Sequence, residues 1–462
     1  MIKSDHVAKL KKIVGRENVL TSKEDLTVYS YDATTTWAHM PDVVVLPTTS
    51  EQVSQILKLA NENKIPVTPR GGGTNVSGGS IPIKGGIVLC TTRMNKIIEI
   101  NEANLNAIVE PGVVLQDFNI VLAKQGLFFP PDPQSFFGCT MGGIVAENAG
   151  GPCCLKYGVT KQYVLGLEVV LANGYIMKIG GVTVKNRTGY ELVMLFTGSE
   201  GTLGVITKII LRLLPMPPAS KTIMAAYDDM VVAGKAVSNI LSSGVIPSKI
   251  EFIDNWLIRR IEELTPIGLP TEVNALLLLQ TDGAQAAVEV EAQQIVDVCR
   301  RSGAKEVRLA KDQAEADKFW KARTAGFAAV ISAAHTILGE DVAVPRDKIA
   351  QLIRGCEEIS RKYDMVIPLI GHAGDGNMHP SILTDKRDTE HFERAKKAMD
   401  EIFETALSLG GVLSGEHGIG LEKQHFLRRA MDPMAINIMK GIKGILDPNN
   451  ILNPGKIWEE EA

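Results

Sequence analysis

Three of the chain's eight histidines fall in two glycine-framed segments, Gly371-His372-Ala373-Gly374-Asp375-Gly376-Asn377-Met378-His379 and Ser414-Gly415-Glu416-His417-Gly418. Imidazole can ligate a divalent ion, and it changes charge nearest to neutral pH. The apolar run Met365–Ile370 leads into the first segment and Ser381–Leu383 leads out, so it reads as a hairpin. Asp-Gly is a preferred two-residue turn. A turn at Asp375-Gly376 sets His372 directly opposite His379, with Cβ atoms about 5 Å apart on one face. Two imidazoles at that spacing can share an ion, and Glu416 would complete a His2Glu set with positions open for water or substrate. His417 is then a candidate base beside it. Histidine pairs on hairpins also bond carbonyls or face solvent, and Gly-Glu-His-Gly also forms plain turns, so spacing alone leaves both readings open.

A second kind of chemistry is written in glycine. Pro69-Arg70-Gly71-Gly72-Gly73-Thr74-Asn75-Val76-Ser77-Gly78-Gly79 follows a β-rich run, with neither the Gly-Lys-Ser/Thr of a nucleotide-triphosphate loop nor a G-x-G-x-x-G turn. Consecutive glycines let backbone N–H groups converge on an anion. Pro130-Pro131-Asp132-Pro133 is rigid enough to line a flat ligand. Gly138-Cys139-Thr140-Met141-Gly142-Gly143 continues to Asn148-Ala149-Gly150-Gly151, and Thr197-Gly198-Ser199-Glu200-Gly201 continues to Val205-Ile206. Backbone-rich contacts spread over about 140 residues suit a dinucleotide better than a lone phosphate. Packing glycines or a surface turn account for any one of these segments taken singly.

The elements that must position these residues come in blocks. Helices are expected over Ser4–Val14 and from Thr49 or Ser50 to Asn63, and strands over Val43–Leu46, Ile65–Thr68, Gly86–Cys90, Lys96–Ile100, Asn106–Val109, Gly166–Leu171 and Ile176–Ile179. The mixture points to α+β rather than regular βαβ winding. A proline-rich boundary, Leu214-Pro215-Met216-Pro217-Pro218, ends the first domain, taken as 1–218. Strands at Thr222–Ala226, Asn274–Thr281 and Glu306–Leu309 then alternate with helices at Met230–Ser243, Ala286–Gly303 and Arg394–Leu409. They suggest an antiparallel sheet covered by helices, a cap over 219–409, with 410–462 returning to the first domain.

Composition narrows the classes. With 45% hydrophobic and 22% charged residues among 462, and a net charge of −4, the chain is an ordinary globular protein with no basic footprint for nucleic acid. Its six cysteines show no CxxC spacing, so a cluster or thiolate zinc site is not expected. No run of about 18 apolar residues and no signal-peptide core appear, so no transmembrane segment is expected and a reducing cytoplasm is the natural compartment. Peripheral association with a membrane partner is left open.

Taken together and in order, Arg70–Asn75, Pro131–Pro133, Gly142-Gly143, Gly198–Ile206, His372–His379, Gly415–Gly418 and Asn453-Pro454-Gly455-Lys456 resemble the FAD-binding PCMH-type flavoproteins, the vanillyl-alcohol oxidase superfamily. Within it the chain is similar to the D-2-hydroxyacid dehydrogenases, which include D-lactate dehydrogenase, glycolate oxidase large subunit and D-2-hydroxyglutarate dehydrogenase. The resemblance implies an α+β fold with a two-lobed FAD-binding domain and a cap. It implies FAD contacts from Arg70, Gly71, Gly72, Gly73, Thr74, Asn75, Gly78, Pro131, Asp132, Thr140, Gly142, Gly143, Asn148, Gly150, Glu200, Gly201, Val205, Ile206 and Asn453. No histidine occupies 70–78, so the flavin is expected to be noncovalent. The same carry-over makes His372, His379 and Glu416 ligands of one divalent metal (zinc, iron or manganese), with His417 the base.

Arg323 matches an arginine that in relatives faces the substrate, where a guanidinium can clamp a carboxylate; a helix-surface salt bridge is the alternative. Phe327, apolar where a dicarboxylate-using relative is polar, favours a small monocarboxylate such as D-lactate. In the implied mechanism the ion stabilises the forming alkoxide, His417 takes its proton and a hydride passes to flavin N5. Electrons would then leave for an external acceptor: an electron-transferring flavoprotein, an iron–sulfur subunit or a quinone. Two readings of other classes are a non-catalytic flavin-binding subunit, against which the presence of all four metal and base residues counts, and a metal-dependent hydrolase without redox chemistry.

Overall fold

The structure is a computed structural model that describes residues 2–459. It divides into two compact units, one of Met1–Ala149, Val159–Met216 and Glu416–Ala462, the other of Gly150–Gly158 and Pro217–Gly415.

The first unit begins as a parallel winding. Val43–Val45, Ile87–Cys90 and Val67–Arg70 are parallel neighbours, and Val19–Leu20 pairs antiparallel on the outer edge. The crossover helix Ser50–Glu62 is started by Thr49, whose hydroxyl accepts the Gln52 N–H at 3.2 Å. Val53, Ile56, Leu57 and Ala60, at helical spacing, bury against the strands. So the first ninety residues contain the expected strand, helix and strand, and these wind in parallel. The cause is the continuous apolar strand Val43-Val44-Val45, fully buried and therefore able to sit in a parallel sheet. The remainder of this unit is antiparallel, in the order Ile97–Asn101, Asn106–Val109, Val205–Arg212, Val164–Val170, Ile176–Gly180. The C-terminal return closes on the parallel sheet: Val67 N donates to Ile451 O at 2.7 Å and Asn453 N to Val67 O at 2.8 Å.

The second unit is a large antiparallel sheet in the order Glu306–Leu309, Ala219–Tyr227, Ala275–Gly283, Lys249–Asp254, Leu369–His372, Asn377–Thr384, Thr336–Gly339, with Val342–Ala343 also on Asn377–Thr384. Helices Asn255–Leu264 and Gln313–Ile331 contribute Leu257, Ile258, Ile261 and Phe319 to a core shared with Leu276 and Leu278 of the sheet. The architecture is α+β, a FAD-binding-type domain and a cap built on a large antiparallel sheet, as expected.

The histidine hairpin forms, but in another register. His372 pairs with Asn377, Gly371 with Met378 and Ile370 with His379, so His372 and His379 are not directly opposed. The turn is longer than Asp375-Gly376: a single 3-10 turn at Ala373–Asp375 ends on Gly376 at φ +80°. A left-handed residue after a tight turn is what a four-residue hairpin loop requires. The slip is by two residues, an even number, and therefore leaves His372 and His379 on the same face. A Cβ on Gly376 would overlap Val344 O, so both its φ and its space exclude a side chain. Gly376→Ala is expected to destabilise the folded chain by at least about 2 kcal/mol, read as a lower urea midpoint; an unchanged midpoint would show that this turn does not fix the register.

Candidate active site

In the cap unit the hairpin sets the two imidazoles edge to face, with ring centroids 5.2 Å apart and an interplanar angle of 86°. Each offers a ring nitrogen within 4.8 Å of the other's. His372 is buried, and its Nδ1 lies 2.8 Å from Oε1 of Glu251. A carboxylate accepts, so Nδ1 carries the proton and Nε2 keeps its lone pair for a ligand. Glu251 is itself fully buried in the strand Lys249–Asp254, and its other neighbour is Nε of Arg323, which is 3% exposed. Burial pushes the Glu251 carboxyl up, but His372 and Arg323 together outweigh that and hold it down at about 2. Arg323 is thus neither on the helix surface nor a free fork. At least one of its nitrogens is committed to Glu251, a residue that spacing did not single out.

His379 faces a second buried acid. Its Nδ1 lies 3.6 Å from Oδ1 of Asp341, which is fully buried. Asp341 also accepts Asn377 Nδ2 at 2.6 Å and the Ser414 hydroxyl at 2.6 Å, and its backbone O accepts Gly415 N at 3.2 Å. Glu416 and His417 are the next two residues of the chain. Glu251 accepts from its imidazole, the arrangement that fixes tautomer and ring orientation in metal sites, whereas Asp341 lies beside the His379 ring at a longer distance. Phe327, one turn beyond Arg323, is 54% exposed.

In the other unit the glycine segments converge. A Cβ on Gly71 would overlap Thr140 Oγ1, and one on Gly72 would overlap Gly138 O, so these two backbones pack directly on each other. Among the described residues the N–H groups of Gly72, Gly73 and Thr74 make no hydrogen bond, and neither does the buried hydroxyl of Thr140. The Arg70 guanidinium sits under Gly73, donates from Nη1 to Tyr31 O at 2.7 Å and lies over the Tyr29 ring. Unspent amides, an unspent hydroxyl and a buried cation fit the diphosphate of a dinucleotide, so the residues present suit FAD.

Several side chains named from sequence turn out to hold the loops. Asn75 Nδ2 donates to Asp32 at 2.7 Å and its Oδ1 accepts from Ser80 at 2.8 Å. Asn148, left-handed at φ +51°, accepts Lys161 N at 2.8 Å. Asn453 Nδ2 reaches both Gly79 O and Glu200 O at 2.8 Å. Both Glu200 carboxylate oxygens accept backbone N–H groups, from Ile419 at 2.9 Å and Gly420 at 2.8 Å. Gly78 and Gly201 have positive φ and pack on Leu421 and Pro69. Val205 and Ile206 are buried strand residues, Pro131 is buried, Asp132 is partly exposed, and Gly142 and Gly143 lie in the helix Met141–Glu147. Gly150 belongs to the cap unit.

Beneath these loops lies a buried charge cluster that spacing did not reveal. Burial pushes Glu147 and Glu200 up, the Glu200 carboxyl adding to the rise of Glu147, and raises Asp32 as well. Lys456 is pushed down to about 8 by burial, against the pull of Asp32, Glu200 and Glu147. It was visible in sequence only as the end of Asn453-Pro454-Gly455-Lys456.

The Glu251 arrangement generates a stability test. Its carboxyl is depressed from an ordinary 4.5 to about 2, so it stabilises the folded state fully above about pH 4.5, and that contribution is lost as pH falls toward 2. Glu251→Gln, which leaves Arg323 buried without a counter-charge, is expected to cost roughly 3–5 kcal/mol at neutral pH. It should also remove this part of the acid limb in urea titrations run from pH 6 to 2.

Among the described residues no helix is long and apolar enough to cross a membrane. Residues 41–180 match the FAD binding domain family, and residues 216–457 match the family described as FAD linked oxidases, C-terminal domain. The chain is 43% identical over 462 residues to "Glycolate oxidase subunit GlcD" of Bacillus subtilis (strain 168), covering 100% of this chain and 98% of that one. It is 37% identical to "D-lactate dehydrogenase" of Anaerostipes hadrus, covering 96% of each. Among solved structures it superposes on p-cresol methylhydroxylase with substrate bound with a TM-score of 0.82 at 22% identity, covering 98% of this chain and 96% of that one, a likeness of fold. The chain belongs to the FAD-linked oxidase family and is an oxidoreductase whose relatives include glycolate oxidase subunits and D-lactate dehydrogenases.

Proposed function

We propose that the protein oxidises a small D-2-hydroxy acid, D-lactate foremost, to the 2-oxo acid and passes the electrons to an external acceptor. The observation that carries this reading is the pair His372–His379 on one face of the cap hairpin, with His372 locked by a buried Glu251 that is itself held by Arg323. Such bracing suits a ligand that must present Nε2 in one direction. His372 and His379, with Glu416, would hold one divalent ion. When bound, FAD supplies a two-electron acceptor and a divalent ion supplies Lewis acidity toward the substrate's hydroxyl and carboxylate oxygens.

The residues divide the remaining work. His417 takes the hydroxyl proton, a task suited to an imidazole near neutral pH. Arg323 holds Glu251 and, through it, the orientation of His372. The exposed apolar side chain of Phe327 gives a second carboxylate no partner, which favours lactate or glycolate over 2-hydroxyglutarate. Glycolate is the second substrate to weigh, because a relative bearing that name shares 43% of its residues over the full chain. Six cysteines, none in CxxC spacing, leave no cluster site in this chain for onward transfer, so electron-transferring flavoprotein, an iron–sulfur subunit or a quinone serves as acceptor.

Anaerobic mixing of the purified flavoprotein with D-lactate, L-lactate, glycolate and D-2-hydroxyglutarate, with and without chelator, tests the whole reading. Bleaching of the flavin by D-lactate that chelator suppresses is expected; bleaching by none of the four would sink it. His417→Asn should keep FAD bound yet abolish this bleaching, and normal turnover in that variant would remove His417 from the reaction. Glu416→Gln should first lower the metal content, and an unchanged metal assay would remove Glu416 from the ligand set.

A further inference from the structure

The segment that follows His417 has little stiffness of its own. Gly418 and Gly420 both have positive φ, +85° and +48°, and flank the single side chain of Ile419. Two glycines in four residues leave many backbone conformations open, so the placement of His417 must be imposed from outside. Ile457 N donates to Gly420 O at 2.9 Å and Lys423 N to Ile419 O at 3.1 Å, and a further constraint, on the amides nearest His417, comes from Glu200. One carboxylate oxygen accepts Ile419 N at 2.9 Å and the other accepts Gly420 N at 2.8 Å.

Glu200 is fixed in turn on its other sides. Its N–H donates to Ala146 O at 2.9 Å, and its O accepts Asn453 Nδ2 at 2.8 Å. It occupies the left-handed region at φ +51°, a conformation a non-glycine residue adopts at a cost that glycine avoids. Gly201 follows it at φ +69°, so the chain already uses glycine beside this position. A strained glutamate persists where its side chain is needed. The room around the loop is also small: a Cβ on Gly418 would stand 3.1 Å from Glu200 Oε1 and 2.7 Å from Glu147 Oε2.

We propose that Glu200 is a positioning residue whose carboxylate, instead of contacting the cofactor, fixes the Gly418–Gly420 backbone and thereby sets where His417 stands. The catalytic half of this proposal rests on the reading of His417 as the base; the structural half does not. Glu200→Gly and Glu200→Gln in the FAD-loaded full chain separate the possibilities. Three quantities are read: flavin per chain from absorbance, amide hydrogen exchange of the peptide holding Ile419 and Gly420, and kcat with KM.

Glu200→Gly should keep its flavin, exchange faster at those two amides, and lose about a hundredfold in kcat, the scale of a misplacement near 1 Å, with a smaller change in KM. Glu200→Gln, which keeps one acceptor oxygen, should fall between parent and Glu200→Gly. Its melting point should lie near the parent's, which keeps the test open if the glycine variant folds poorly. Unchanged exchange at Ile419 and Gly420 overturns the proposal, as does a loss of flavin that accounts for the lost rate. Should no 2-hydroxy acid reduce the parent's flavin, the functional reading fails while the exchange result still decides what Glu200 holds.

Discussion

A carboxylate removed completely from water is tolerable only when its neighbours return what hydration supplied. Glu251 meets that condition through two partners on two other elements: Arg323 from the helix Gln313–Ile331 and His372 from the strand Leu369–His372. The cap is organised around this requirement. Three elements distant in sequence must be present together before Glu251 can be buried, and once they are, His372 has one tautomer and one orientation. Asp341 serves the other imidazole, and it also gathers Asn377, Ser414 and Gly415 around the hairpin. Glu251, the buried acid that constrains folding, therefore also aims a donor atom of His372.

The flavin-binding unit solves a different problem. Its cradle is built from loops, which lack a regular hydrogen-bond ladder and must be held by side chains. Asn75, Asn148, Asn453 and Glu200 do this by bonding backbone groups or acids of neighbouring segments. Their commitment leaves the amides of Gly72, Gly73 and Thr74 and the Thr140 hydroxyl unspent. The braces are amides and carboxylates, and the groups left without a hydrogen bond are mostly main chain.

That distinction explains what sequence could show. Glycine-rich segments, the helix Ser4–Val14 and the strands Asn106–Val109 and Glu306–Leu309 were legible because local spacing and propensity determine them. The architecture and the segments forming the cradle were legible through resemblance. Roles within the cradle were not, since Asn75 or Glu200 looks the same in sequence whether it binds a ligand or a loop. Glu251 and Asp341 were invisible for a related reason. Each is one acid in a mostly apolar or ordinary stretch, and only the sheet order that sets Lys249–Asp254 beside Leu369–His372 gives Glu251 a histidine to orient.

The hairpin marks the boundary between the two kinds of inference. Opposition of His372 and His379 depended on the turn, and a four-residue loop in place of a two-residue one moved the register. Sharing a face depended only on parity along the strands: any even slip preserves it, and an odd slip would put His379 on the face opposite His372. That is why a metal-site reading based on a common face survives an error in the turn, while the question of which residue stands across from which is decided by Gly376 and the backbone oxygen of Val344 that leaves it no room.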